Sequence, residues 1–173
     1  MKIVPCCLLL AALFHPGQLI DASVQSFRII PIPTREYGYN NFASIAFMSQ
    51  NELDAFLKKQ SKQIWNKRQA FEDALLNAKV DFSKEALVLL RHTEGSGSVK
   101  VTFETPVLQG RNLVCEIKGR PIPPGFGGTG DMAYYCFAVA VSKAHVSQVE
   151  LQAVQGGFSA RRLDPIVLPI IEK

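Results

Sequence analysis

The chain has 173 residues, 47% of them hydrophobic and 20% charged, with 19 Lys and Arg against 15 Asp and Glu for a net charge of +4. This length suits one domain with a real core. The cations are scattered along the sequence rather than gathered into a stripe, which argues against nucleic acid as a partner.

At the N-terminus, "MKIVPCCLLLAALFHPGQLIDA" places Lys2 before an apolar run from Ile3 to Phe14, broken by His15, Pro16 and Gly17. That is the build of a secretory signal peptide over residues 1–22, with cleavage after Ala22, although Ile20 is larger than is usual three residues in from the cut. The run is shorter than the about 20 apolar residues that cross a bilayer. Cys6 and Cys7 precede its centre, whereas a lipidated cysteine would follow it. The expectation is an exported protein, periplasmic or extracellular, with no stable membrane insertion. Removing the leader takes one Lys and one Asp and leaves the charge at +4.

"SFRIIPIP" reads as a short edge strand, because Pro31 and Pro33 cannot serve a central one. "REYGYNN" reads as a turn and "ASIAFM" as a strand. In "SQNELDAFLKK", Ser49 followed by Glu52 forms a capping box at a helix start, with Leu53, Phe56 and Leu57 as the apolar stripe. "IWNKRQAFEDALLNAKV" continues helically, with Ile64, Phe71, Leu75 and Ala78 on one face and Trp65 at its edge as a core residue.

After residue 82 the period changes to two. "EALVLL" is a buried strand. "SVKVTFE" points Val99, Val101 and Phe103 inward and Lys100, Thr102 and Glu104 outward. "NLVCEIK" sets Leu113, Cys115 and Ile117 on one face, "MAYYCFAVAVS" follows, and "VSQVELQAV" buries Val149, Leu151 and Ala153. "GSG" and "PVLQGR" read as hairpin turns. The expected fold is α+β: an antiparallel sheet meander, curled or sandwich-like, with N-terminal helices packed on it. One domain spans 23–155, and 156–173 form an extended C-terminal tail.

"GFGGTGD" carries Gly125, Gly127 and Gly130 at the spacing of a dinucleotide-binding turn. That turn works only between a parallel strand and a helix N-terminus. Here "RPIPP" precedes it and a strand-like run follows, and Glu150, at the distance of a ribose-binding acid, fits an outward strand position. No cofactor is expected. The stretch reads instead as the tip of a hairpin centred on residues 125–126, which would set Cys115 opposite Cys136 and join them in a disulfide in an oxidising compartment. The structural alternative is a pair of buried free thiols.

No metal-ligand spacing occurs, and no local motif marks a nucleophile. His92, near a strand end, and His145, in "SKAHVS", read as surface histidines; paired with a carboxylate and a hydroxyl, either would make a hydrolase. Arg161 and Arg162 read as a solvated charge pair that could contact an acidic partner.

From "VDFSKEALVLL" to "MAYYCFAVAVSK", the order of features resembles the PrcB C-terminal domain family of exported protease-complex accessory proteins. The residues that carry it are Asp81 with Phe82, Leu87 to Leu90, Gly95 with Gly97, Val99 to Phe103, Leu113 to Ile117, the loop around Gly125, and Tyr134 to Lys143. Ser98 stands where the family has Tyr, and Cys136-Phe137 where it has a proline. The resemblance implies a β-rich domain that docks to or stabilises another exported protein, a protease among the candidates, and it supplies no catalytic residues.

These readings converge on a non-enzymatic protein-binding domain. Its partner-binding loop would comprise Arg120, Pro123, Pro124, Gly125, Phe126, Gly127, Gly128, Gly130 and Asp131, since a long loop in a compact domain is commonly functional. Protease inhibition and a hydrolase built on His92 or His145 are the alternatives.

Overall fold

A computed structural model describes residues 26–120, 122, 123, 125, 127–156 and 161–171. Its elements in chain order are β1 (Phe27–Ile30), a 3₁₀ turn (Tyr37–Asn41), β2 (Ile45–Phe47), α1 (Gln50–Gln60), α2 (Arg68–Asn77), β3 (Glu85–Glu94), β4 (Val101–Phe103), β5 (Val107–Gln109), β6 (Asn112–Gly119), β7 (Ala133–Ser142), β8 (Gln148–Gln155), β9 (Arg161–Arg162) and β10 (Ile166–Pro169). The architecture is α+β, with helices packed on one of two mostly antiparallel sheets.

The first sheet has the order β1-β7-β3-β2, and the second has β10-β8-β6-β4, with β5 paired to β6 and β9 to β8. The spine of the first is the ten-residue antiparallel pairing of β3 with β7, from Glu85 opposite Ser142 to Glu94 opposite Ala133. In the second, β6 and β8 run parallel over seven pairs. Neighbours in space are therefore mostly not neighbours in sequence: the chain leaves the first sheet after Glu94, builds β4 to β6 in the second, returns for β7, and crosses again for β8.

Strand alternation divides the core in two. Ala86, Val88 and Leu90 of β3 and Phe137, Val139 and Val141 of β7 meet Leu113, Cys115 and Ile117 of β6 and Val149, Leu151 and Ala153 of β8 between the sheets. On its other face the first sheet offers Leu87, Leu89, Cys136, Ala138 and Ala140 to Phe56, Phe71, Leu75 and Tyr39. The small side chains of β7 leave room for the aromatic layer, in which Tyr39 lies edge-on to Trp65 and Phe71 with centroids 5.3 and 5.5 Å away. Such pairs add about 1 kcal/mol each beyond their burial.

The start of α1 meets half of the capping-box expectation: Ser49 caps the helix, but the Glu52 carboxylate reaches back one residue further, to Met48. The Glu52 N–H donates to Ser49 Oγ at 3.3 Å, and the Met48 N–H donates to Glu52 Oε2 at 2.7 Å. Between the helices the expected register fails. The chain turns from Ser61 to Lys67 before α2 begins, so the helical phase is not carried through: Ile64 is 100% exposed and Trp65, at 8%, takes the inner place.

Three further expectations are corrected. "GSG" is not a hairpin turn, because β3 and β4 belong to different sheets. "PVLQGR" is one, closing β5 on β6 with Gln109 opposite Asn112 and Gly110 at φ +63°. The strands flanking the glycine loop do not pair with each other, since β6 lies in the second sheet and β7 in the first. Cys115 and Cys136 are accordingly both free and buried. Cys115 faces the core between the sheets and Cys136 the helices, so the thickness of the first sheet separates them.

The C-terminal segment extends along β8. Val154 pairs with Arg162, and Leu151 with Ile166, which makes β9 and β10 two pieces of one edge interrupted around Pro165.

Candidate interaction surface at the glycine-loop end

Because β6 and β7 lie in different sheets, the residues between Gly119 and Ala133 span one end of the sandwich. Ile122 is buried and pins this connection, while Arg120, Pro123, Gly125, Gly127, Gly128, Gly130 and Asp131 are exposed. Pro124 and Phe126 lie outside the described residues. Gly125, at φ +86°, occupies a conformation that disfavours a Cβ.

The loop is clasped by the β3–β4 connection. The Gly97 N–H donates to the Asp131 carbonyl at 2.9 Å, and the Thr129 N–H to Ser98 Oγ at 3.2 Å. Ser96 and Thr129 join their hydroxyls at 3.3 Å. Arg35 completes the clasp: Nη1 donates to the Gly97 carbonyl at 3.0 Å, Nη2 lies 3.9 Å from Asp131, and the guanidinium stands over the Tyr135 ring. The Thr129 hydroxyl, helped by a backbone N–H and by Arg35, holds the Asp131 carboxyl below its ordinary pKa. The glycine-bearing segments bind each other, and the strand β7 follows them.

Beneath the clasp, His92 Nε2 lies 2.6 Å from Glu94 Oε1, and the Gly156 N–H donates to both Glu94 oxygens at 3.1 and 3.0 Å. The expectation of a surface histidine is corrected, for His92 is 3% exposed. Alternation along β3 carries Ala86, Val88 and Leu90 inward and takes His92 and Glu94 with them. A cavity of about 170 Å³ adjoins His92, lined also by Leu151, Ala153, Leu163 and Asp164. Its hydroxyl-bearing residue, Thr93, accepts from Arg91 Nη2 at 2.7 Å. His145 is exposed in the β7–β8 turn, at the opposite end of the sandwich.

Next to the clasp is a cluster that the sequence reading did not single out. Tyr37, 71% exposed, meets the Tyr134 ring edge-on at 5.7 Å, the Arg91 guanidinium stands 5.7 Å from the same ring, and the Tyr134 hydroxyl donates to the sulfur of Met132, itself 53% exposed. Tyr37 comes from the 3₁₀ turn, Arg91 from β3, and Met132 and Tyr134 from the end of the loop and the start of β7. Only the β1–β7–β3 sheet order brings them together, so no local motif could have announced them.

Comparison with family models, with curated proteins and with solved structures found no match to this chain.

Proposed function

We propose that the protein is an exported, non-catalytic α+β domain that binds another protein through the glycine-loop end. The observation that carries this reading is the group of exposed Tyr37 and Met132 with half-buried Tyr134 and Arg91 beside an anchored loop. Tyr, Met and Arg are the residue types enriched at the centres of protein interfaces. Such a group, held together by ring, cation and sulfur contacts, offers contact area at small entropic cost. The clasp serves the same end, since a loop held at Thr129 and Asp131 loses little freedom when a partner arrives. The resemblance to PrcB C-terminal domains supports a protease complex as the partner.

The test is affinity capture from the protein's own exported fraction, followed by mass spectrometry. The wild type is expected to retain one partner that Tyr37→Ala/Met132→Ala loses and that His145→Ala, altered at the far end, keeps. Equal capture by all three would overturn the reading. If the partner is a protease, titrating the domain into it separates a stabiliser, which raises activity, from an inhibitor, which lowers it.

A further inference from the structure

Four cations from three separate stretches of the sequence, Lys100, Lys118 with Arg120, and Arg162, meet on the outer face of the second sheet. Val101 pairs with Gly119 and Thr102 with Lys118, and the Arg120 N–H donates to the Lys100 carbonyl at 2.8 Å, which sets Lys100 beside Arg120. Lys118 pairs with Val154, and Val154 in turn with Arg162. Val101, Ile117, Ala153 and Leu163 turn inward from these strands, so Lys100, Lys118, Arg120 and Arg162 all turn outward. Strands about 4.8 Å apart place the four within roughly a Debye length or two of one another at physiological salt. The scattered cations of the sequence become a patch, because sheet order rather than chain order sets their neighbours.

The patch is only partly neutralised. Lys118 pairs with Glu116 at 2.9 Å and lies 3.9 Å from Glu104. Its hydrogen bond to Glu116 holds its ammonium above the ordinary pKa, while the nearby Arg162 works against that. Among the described residues, Lys100, Arg120 and Arg162 have no carboxylate within ion-pair distance. The charge is also graded along the strands. Along β6 and into the residue after it, Glu116 gives way to Lys118 and then Arg120, and beside it Glu104 gives way through Thr102 to Lys100, so positive charge collects at the glycine-loop end.

The geometry points to an acidic, extended segment of a partner protein as the occupant of this face. Alternate residues of an extended chain are about 6.6 Å apart, about the spacing from Lys118 near the end of β6 to Arg120 just past it, so carboxylates at every second position can meet successive cations. Glu104 and Glu116 set the limit of the site: a polyanion with a phosphate at every step would run on over them, whereas a segment with a few acidic side chains stops short. The inference rests on the protein-binding reading above and adds the partner's chemistry to it. Charge of this kind acts chiefly on encounter rate and orientation, delivering the partner to the adjacent loop.

The probe is a fluorescein-labelled peptide of about eight residues alternating Glu and Thr, followed by anisotropy on the mature chain. Saturable binding is expected, weakening steeply between about 50 and 300 mM salt. The variant Lys100→Gln/Arg120→Gln/Arg162→Gln is expected to bind about ten-fold less tightly, on the scale of about 1.4 kcal/mol, with an unchanged circular dichroism spectrum. Lys58→Gln/Lys59→Gln on α1 is expected to bind as the wild type does. No binding, equal binding by the triple variant, or tighter binding to phosphatidylglycerol vesicles or to an oligonucleotide of equal charge would overturn it. The two readings fail separately: peptide binding without partner capture removes the loop-end interface, and capture indifferent to the triple variant removes the acidic segment.

Discussion

Glu94 shows how a single buried carboxylate organises the end of the sandwich. Its oxygens accept from the Gly156 N–H and meet His92, drawing together the ends of β3 and β8. The end of β6 joins them only because Gly119 has no side chain: a Cβ there would lie 2.2 Å from Glu94 Oε1 and 2.4 Å from the Gly156 nitrogen. Gly119→Ala should therefore destabilise the fold by about 1–3 kcal/mol, as overpacking does. Gly127, with nothing within 4 Å of its missing Cβ, should tolerate Ala within about 0.5 kcal/mol. Chemical denaturation of both variants checks the contrast, and equal stability would contradict the packing. The reading of His92 as a surface residue missed this because the alternation of the buried strand runs past Leu90 and sends His92 and Glu94 inward. The sequence carried nothing of Gly119, whose constraint comes from a strand that arrives from the other sheet.

At the scale of the element, local signals worked where the physics is local. Ser49 capped the start of α1 as expected, and the alternating runs became strands with their apolar sides inward. What local pattern cannot report is which strand pairs with which. The proposed bridge failed on that point, since pairing Cys115 with Cys136 needed β6 and β7 to form one hairpin. Instead β7 pairs with β3 over ten residues, and its alternation turns Cys136 to the helices while Cys115 faces the second sheet. Burial pushes the Cys115 thiol up to about 12 and raises that of Cys136 as well, which keeps both in the unreactive protonated form. In protein spanning residues 23–173, Ellman's reagent should therefore find neither thiol when folded and both after denaturation. A reducing agent should leave Tm unchanged; a disulfide contributes ~3 kcal/mol, and its reduction would lower Tm by several degrees.

At the scale of the whole molecule, the fold class was legible because composition and periodicity determine it, whereas the proposed interaction surface draws on residues that no local pattern connects. The glycine loop stood out by its length and its prolines. Its neighbours Tyr37, Arg91, Met132 and Tyr134 did not, for they come from separate elements that only the strand order unites, and the same holds for Lys100, Lys118, Arg120 and Arg162. Two chain crossings at one end of the sandwich give that end its exposed backbone, its clasp and its mixed aromatic and cationic flanks. The opposite end carries His145 in a short turn between β7 and β8, itself held by the Ser147 N–H donating to the Arg111 carbonyl at 2.8 Å. The most direct measurement is site-specific photo-crosslinking, with a benzophenone amino acid at Gly128 or Tyr37 and, as reference, at His145, in the native exported fraction. The two loop-end positions are expected to give the same discrete adduct, absent from the reference position; adducts from His145 alone, or from all three alike, would contradict the assignment of this end as the binding surface.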